Sequence, residues 1–378
     1  MKILLMGYGT VGSGVFELIQ NQQQRFFEEY DQWLEVVGIL VKDPNKYAHL
    51  PHHALFTHSF EKLVNQPFDV AIETIGGISP AYEYVNQILS SGRSVITSNK
   101  DLIAEKGLAL HETANSSDVT LSYEASVGGG IPVLKPIREC LAGDYILEIS
   151  GIINGTTNFI LTKMNQESLS YESALKMAQE AGFAESDPTS DVMGYDAVRK
   201  ISILTKLGMG VALDWKSIPV EGITNISAED VAYMKSLGLS VKLMGISKQV
   251  EEGLYTCVRP VAIASASKYA SIVNEYNAIT VIGESVGELF FTGKGAGKNP
   301  TATAVLGDLM DLLQNKKRKR NNTLKQGSSL QSYPLPADWI LRDGKGGYLT
   351  LQNISENELL EKKAQMGISY EVHYLMWQ

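Results

Sequence analysis

Two residues of opposite charge, Asp196 and Lys200, stand four positions apart in the run Asp196-Ala197-Val198-Arg199-Lys200. On a helix that spacing puts both side chains on one face with the acid toward the N-terminus. At a surface such a pair contributes about 0.3–0.5 kcal/mol. Beside a substrate carbonyl, the Lys200 ammonium would stabilise an alkoxide that develops during hydride transfer and deliver a proton to it, with Asp196 orienting the lysine or the substrate hydroxyl. Three further acids, Glu185, Asp187 and Asp191, precede this segment in a loop containing Pro188. They suit either the capping of a helix N-terminus or the recognition of an ammonium group. Asp191 is expected to N-cap a helix running to about Leu207, with Val198, Ile201 and Leu204 on its apolar face.

A second constellation opens the chain. The apolar run Lys2-Ile3-Leu4-Leu5-Met6 leads into Gly7-Tyr8-Gly9-Thr10-Val11-Gly12 and then a helical pattern at Val15, Leu18 and Ile19. A G-x-G-x-x-G string is weak alone and informative between a strand and a helix. Gly7 allows the tight turn, Gly9 lets a pyrophosphate approach the backbone, and Gly12 permits close helix–strand packing. Free amides at the start of the helix favour phosphate. Strands expected over 33–41, 68–74 and 94–97, with a helix over 80–91, continue a β–α alternation that implies a parallel sheet. Thr74-Ile75-Gly76-Gly77 and Thr97-Ser98-Asn99-Lys100 fall at strand ends, where such sheets bind their ligands. After the second strand stand Val41-Lys42-Asp43-Pro44-Asn45-Lys46; Lys42 and Lys46 suit a 2′-phosphate and Asp43 opposes it, a slight preference for NADP over NAD.

The remaining elements divide in character. A strand over 146–153 precedes Asn154-Gly155-Thr156-Thr157, a turn whose amides and hydroxyls suit a carboxylate. Runs over 242–250 and 254–263, joined at Glu251-Glu252-Gly253, and over 277–285 and 288–292 read as hairpins of a mostly antiparallel sheet. Glu124 to Ile131 contains three consecutive glycines, and a tight loop of that kind exposes carbonyl oxygens, hard ligands for alkali or alkaline-earth cations. Toward the C-terminus, 347–354 reads as strand, 356–365 as helix and 368–377 as strand.

Bulk properties bound these readings. With 378 residues, two or three domains are expected; 44% apolar and 20% charged residues fit a soluble globular chain with a sizeable core. A net charge of −9 argues against a nucleic-acid partner, and the basic run Lys316 to Arg320 reads as a solvated linker. Two cysteines, Cys140 and Cys257, are too few for a disulfide framework or a thiolate zinc site. Cys140, in an expected helix, would be a small buried hydrophobe. His49, His52, His53 and His58 read as loop histidines rather than metal ligands. The chain starts directly on an apolar strand and holds no apolar run of about 18 residues, so a reducing cytoplasm and no membrane are expected.

Over roughly residues 1 to 312 the sequence resembles the homoserine dehydrogenases. The resemblance is carried by Thr97-Ser98-Asn99-Lys100, by Tyr123 to Pro132 and by Gly151-Ile152-Ile153-Asn154-Gly155-Thr156-Thr157-Asn158. It continues through Ala184 to Asp191, Asp196 to Lys200, and Gly295-Ala296-Gly297 with Asn299-Pro300-Thr301. It implies an NAD(P)-dependent interconversion of L-homoserine and L-aspartate 4-semialdehyde, with Lys200, Asp196 and Lys100 at the chemistry. It further implies Glu185 on the substrate ammonium, Asp191 joining it as a substrate-binding residue of the active site, and Gly155 and Thr156 as substrate contacts. The cofactor would meet Gly7, Gly9, Thr10, Val11, Gly12, Lys42, Thr74, Ser98, Lys100 and Gly297. Glu124, Val127, Gly129 and Ile131 would hold a monovalent cation, sodium by resemblance, and the second domain's sheet would pair two copies as a homodimer. The implied fold is α/β: a Rossmann-type doubly wound parallel sheet, an α+β catalytic and dimerisation domain with a mostly antiparallel sheet, and a short C-terminal β-α-β extension. The expected domains are 1–127 with 295–312, then 128–294, with 313–378 as linker and extension. That extension has room for half of the amino-acid-sensing module many relatives carry, so packing or dimerisation is its favoured role over feedback control.

Other classes fit less well. An acylating semialdehyde dehydrogenase needs a nucleophilic cysteine, and neither cysteine has an activating context. A short-chain alcohol dehydrogenase needs Tyr-x-x-x-Lys, which the sequence lacks, and a zinc alcohol dehydrogenase needs thiolates. A nucleotide-sensing regulator with a silent site has no evident use for Glu185, Asp191, Asp196 and Lys200 together.

Overall fold

Lys2–Met6, the apolar run ahead of the glycine turn, forms β1, with four of its five residues buried. In this computed structural model, which describes residues 1–251, 253–314, 336–343, 347–365 and 373–377, β1 is an inner strand of a six-stranded sheet. Around it run α1 (Thr10–Asn21), α2 (Gln23–Tyr30), β2 (Glu35–Leu40), β3 (Phe56–Thr57), α3 (Phe60–Val64), β4 (Val70–Glu73), α4 (Ala81–Ser90), β5 (Ser94–Thr97), α5 (Lys100–Ser116) and β6 (Leu121–Ser122). The order β3-β2-β1-β4-β5-β6 is parallel throughout. Strand order reverses between β1 and β4, which creates a crevice at their carboxyl ends, directly ahead of the glycine turn. Ile3, Leu5, Ile39, Ile72 and Ile96 from the strands pack with Val15 and Ile19 of α1 and with Val305 and Leu309 of the helix Lys298–Gln314. Each such side chain contributes about 1.5–3 kcal/mol on burial. Met1–Lys135 and the segment beginning at Ala296 form one compact unit; Pro136–Gly295 and the described C-terminal residues form another.

The second unit is an eight-stranded sheet carrying helices. In chain order it contains β7 (Ile146–Ile152), α6 (Gly155–Glu167), α7 (Tyr171–Glu180), α8 (Thr189–Val192), α9 (Tyr195–Met209), α10 (Ala228–Ser236), β8 (Leu239–Val250), β9 (Gly253–Ala264), β10 (Tyr276–Gly283) and β11 (Gly287–Lys294). β12 (Ala337–Arg342), β13 (Tyr348–Ile354), the helix Glu356–Gln365 and β14 (His373–Trp377) follow. The sheet order is β11-β10-β7-β8-β9-β14-β12-β13, antiparallel except where β14 runs parallel to β9. The expected hairpins close at Val250 opposite Gly253 and at Gly283 opposite Gly287. On one sheet face Ile201 of α9 sits against Gly245 of β8, and Gly208 against Ile149 of β7. A second core joins Ile246, Cys257 and Val261 to Trp339, Leu359 and Leu375, so the described C-terminal extension is built into this unit's sheet and core.

Several expectations fail in detail. Asp191 does not cap the long helix: it lies within the short α8, and α9 starts at Tyr195 after Gly194. Gly194 has φ +81°, a left-handed conformation that interrupts a helix. Cys140 is exposed rather than buried, because Pro136–Cys140 makes a single wide π turn instead of an amphipathic helix. The strand over 337–342 was not expected. Lys316 to Arg320 and residues 368–372 lie outside the described residues.

Candidate active site

The glycine turn sits where β1 ends. Gly7 has φ +99°, which only glycine adopts readily, and its N–H donates to the Leu40 carbonyl at 2.9 Å. Thr74, just past β4, donates its hydroxyl to the Met6 and Gly7 carbonyls at 3.1 and 3.2 Å. A Cβ on Gly12 would collide with the Gly7 carbonyl oxygen and lie 2.7 Å from Thr74 Oγ1. Gly9 is different: a Cβ there would meet nothing within 4 Å. Gly9 is also the N-cap of α1, no side chain caps that helix, and Thr10 and Val11 form its first turn. Open space facing uncapped amides is what a pyrophosphate requires, so these residues fit a dinucleotide. Lys42 and Lys46 are exposed, whereas Asp43 turns its carboxylate onto the Asn45 N–H at 3.0 Å and caps a short helical turn.

One residue that sequence reading passed over organises the far side of this crevice. Glu73, fully buried at the end of β4, accepts from the Ile75 and Gly76 amides at 2.7 and 3.2 Å, from Asn99 Nδ2 at 3.5 Å and from the Thr97 hydroxyl. Burial pushes its carboxyl up, against those hydrogen bonds. Asn99 in turn caps α5 by accepting from the Leu102 N–H at 3.0 Å, which fixes partly buried Lys100 at the first helical position. Ser98 N–H reaches the Glu73 carbonyl at 3.2 Å. Gly297, φ +120°, immediately precedes the helix Lys298–Gln314 and accepts from the Thr301 N–H at 3.1 Å. The signal for Glu73 was an acid inside an otherwise apolar strand, Val70-Ala71-Ile72-Glu73.

The candidate cation loop holds left-handed turns at Gly128 (φ +76°) and Gly129 (φ +55°). The Glu124 carboxylate accepts from the backbone amides of Val133, Leu134 and Lys135 at 2.7, 2.9 and 2.7 Å. Those bonds commit the carboxylate to folding the loop, so an ion there would meet backbone carbonyls. Oxygens of that kind fit a hard monovalent cation. Gly128 O accepts from Ile131 N at 2.8 Å, which closes the turn.

In the second unit Lys200 and Asp196 meet. Lys200 and Asp196, on one face of α9, are 8% and 3% exposed. Lys200 Nζ donates to Asp196 Oδ2 at 2.7 Å and to the Ile153 carbonyl at 2.9 Å. Two of the three N–H bonds of an ammonium are thereby taken, which leaves a third for a substrate oxygen. Asn154 Nδ2 donates to Asp191 Oδ1 at 2.7 Å and to Asp196 Oδ2 at 2.8 Å, so Asp191, Asp196, Lys200 and Asn154 form one cluster. Gly155 starts α6; a Cβ there would lie 2.8 Å from the Glu275 carbonyl oxygen, too close for any other residue. Thr156 donates its hydroxyl to the Phe183 carbonyl at 2.7 Å. Glu185 is exposed on the loop between α7 and α8, and its carbonyl accepts from Gln179 at 3.2 Å. Asp187 accepts from the Thr189 hydroxyl at 2.6 Å and the Thr189 amide at 3.1 Å, and these bonds pull its carboxyl below the ordinary value. Among the loop histidines, His52 stacks on Phe16 and bonds Tyr8 at 2.9 Å.

A dinucleotide-type glycine turn on a doubly wound sheet, together with a buried lysine–aspartate pair, is the equipment of a nicotinamide-nucleotide oxidoreductase. Known proteins resemble this chain over most of its length. Two family models match: homoserine dehydrogenase over residues 132–310, and homoserine dehydrogenase, NAD binding domain, over residues 7–124. The chain is 42% identical over 317 residues to the homoserine dehydrogenase of Bacillus subtilis, covering 83% of this chain and 73% of that protein. It is 32% identical over 380 residues to that of Helicobacter pylori, covering 96% and 88%. A crystal structure of a homoserine dehydrogenase from Thiobacillus denitrificans superposes with a TM-score of 0.92 at 28% identity, covering 100% of this chain and 98% of that one. This chain belongs to the homoserine dehydrogenase family, NAD(P)-dependent oxidoreductases of amino-acid biosynthesis. Among the described residues no helix is long and apolar enough to cross a membrane.

Proposed function

We propose that the buried Lys200–Asp196 pair is the acid–base centre of the interconversion of L-homoserine and L-aspartate 4-semialdehyde. The nicotinamide, when bound, supplies or accepts the hydride. As the aldehyde is reduced, the carbonyl π pair moves onto oxygen, and Lys200 directs its third N–H there and gives up that proton. In the oxidation direction the neutral amine takes the hydroxyl proton. Asp196 holds the lysine in place and balances its charge. Glu185 and Asp191 hold the substrate ammonium, Gly155 and Thr156 face the substrate at the start of α6, and Lys100 borders the reacting carbon. The observation that carries this reading is a lysine only 8% exposed whose ammonium makes two hydrogen bonds and keeps a third N–H.

The glycine turn holds the pyrophosphate, bordered by Thr74, Ser98 and Gly297. NADP is the preferred coenzyme, because Lys42 and Lys46 are exposed while Asp43 is turned onto a backbone amide. The carbonyls of Glu124, Val127, Gly129 and Ile131 hold a monovalent cation in a structural role, and two copies pair through the second unit's sheet. Homoserine oxidation followed by nicotinamide absorbance, with NAD and NADP in separate reactions, tests reaction and coenzyme together. A higher kcat/KM with NADP is expected; no turnover with either coenzyme refutes the assignment.

A further inference from the structure

Asn154 is 4% exposed, at the junction of β7 and α6. Its Oδ1 accepts from Thr157 N at 2.8 Å and Thr157 Oγ1 at 3.0 Å, an N-cap of α6. Asp, Ser and Asn cap helices about equally well, so capping does not explain this residue. The other end of the side chain does. A carboxamide nitrogen carries two N–H bonds, and here one goes to Asp191 of α8 and the other to Asp196 of α9. Asp196 Oδ2 accepts from Lys200 as well. One nitrogen thus joins two carboxylates from separate helices, and one of those is the counter-ion of the buried lysine.

We propose that Asn154 is a positioning residue that seats Asp191 and Asp196 together beside Lys200, as two anions with separate tasks. Two carboxylates that share a neighbour atom repel, and each raises the other's affinity for a proton. Hydrogen bonds donated to the ionised forms oppose that tendency. Around the amide, Asp191 of α8 and Asp196 of α9 accept from it and Lys200 of α9 bonds Asp196; the residue after β7 contributes the Ile153 carbonyl to Lys200, and α6 contributes Thr157. With Asn154 in place, Asp196 is held on the lysine while Asp191 is held beside it for the substrate ammonium. Anchoring the same side chain in the cap of α6 fixes the cluster to the rigid end of β7. This inference rests on the reading of Lys200 and Asp196 given above.

The test is a pair of variants in the full chain, Asn154→Ser and Asn154→Asp. Both keep an oxygen to cap α6; Ser cannot donate to both acids, and Asp adds a third carboxylate. Expected are thermal midpoints below that of the parent, more so for Asp than for Ser, kcat reduced about 10- to 100-fold, as for a lost charge-assisted hydrogen bond, and an acid limb of the kcat–pH profile moved to higher pH, further for Asp than for Ser. An unmoved limb in both variants overturns the proposal, whether or not kcat falls, since a purely structural role lowers activity without moving it. Lys200→Met separates the two levels. If it is inactive while the Asn154 variants keep the parental profile, the Asn154 assignment alone falls. If it keeps parental turnover, the reading of the pair falls with it.

Discussion

Replacing Asp196 by Asn isolates the charge of the buried pair. Asn is nearly isosteric, and its oxygen can still accept from Lys200 and Asn154, which the present carboxylate oxygen does at 2.7 and 2.8 Å. Geometry is kept and one negative charge is lost. The side chains of Lys200 and Asp196 are 10% and 4% exposed, so water cannot screen the ammonium left behind. Breaking a buried ion pair from one side costs about 3–5 kcal/mol, and the retained acceptor places this case at the low end, about 3 kcal/mol. For a unit of this size that lowers the midpoint of thermal unfolding by about 6–12 °C. Half-molar salt should not restore it, because screening acts weakly on buried pairs. The same exchange weakens the hold on Lys200, and kcat for homoserine oxidation should fall about 100-fold, within the range of acid–base terms. Calorimetry and steady-state rates on parent and variant read both effects. A midpoint within 1–2 °C of the parent with undiminished kcat, roughly the scatter of such changes, would refute the claim that the pair is buried and at the chemistry.

Further predictions follow from packing and titration. Gly12→Ala sets a methyl group against the Gly7 carbonyl and Thr74, so NADPH affinity, read by fluorescence titration, should drop about 10- to 100-fold, the range of overpacking costs; parental affinity would contradict the assigned turn. Lys242, 4% exposed in the second unit, bonds only neutral acceptors, Asn158 Oδ1 at 2.9 Å and Ile272 O at 2.5 Å, and burial brings its ammonium down to about 8. The unfolded chain then binds more protons between about pH 8 and 10.5, so stability rises with pH across that window. The penalty is fully present below about pH 8, where it amounts to about 3 kcal/mol. Lys242→Met should lack that rise relative to the parent in denaturant titrations at pH 7.5 and 10, about 2–2.5 kcal/mol between those two values; identical pH dependence would show that Lys242 does not carry it.

Legibility in the sequence followed how local the determining physics is. The glycine turn was readable because strand, Gly7-x-Gly9-x-x-Gly12 and helix are consecutive and each glycine answers a short-range demand. Strand positions such as Ser94–Thr97, and the hairpins around Gly253 and Gly287, followed from apolar runs and turn residues. Asp196 and Lys200 were readable as a pair from their helical spacing alone, but their burial was not, because it depends on β7 and β8 packing across α9. Asp191 misled as a cap because Gly194, three residues on, starts the helix instead. The tie of Asn154 to its two acids, and Glu73 itself, stayed hidden for one reason: the partners lie 37 and 42 residues away for Asn154, and 24 and 26 for Glu73. β12 was missed because its burial depends on β14 and β13, its neighbours only in the folded sheet.

The central claim is that the Lys200 ammonium supplies the proton as hydride reaches the aldehyde. Single-turnover reduction of L-aspartate 4-semialdehyde by NADPH, in the parent and in Lys200→Met, addresses it most directly when NADPH affinity is measured on the same samples. The expected result is hydride transfer slowed by about two to four orders of magnitude with NADPH affinity unchanged. Hydride transfer at the parental rate in the methionine variant would contradict it.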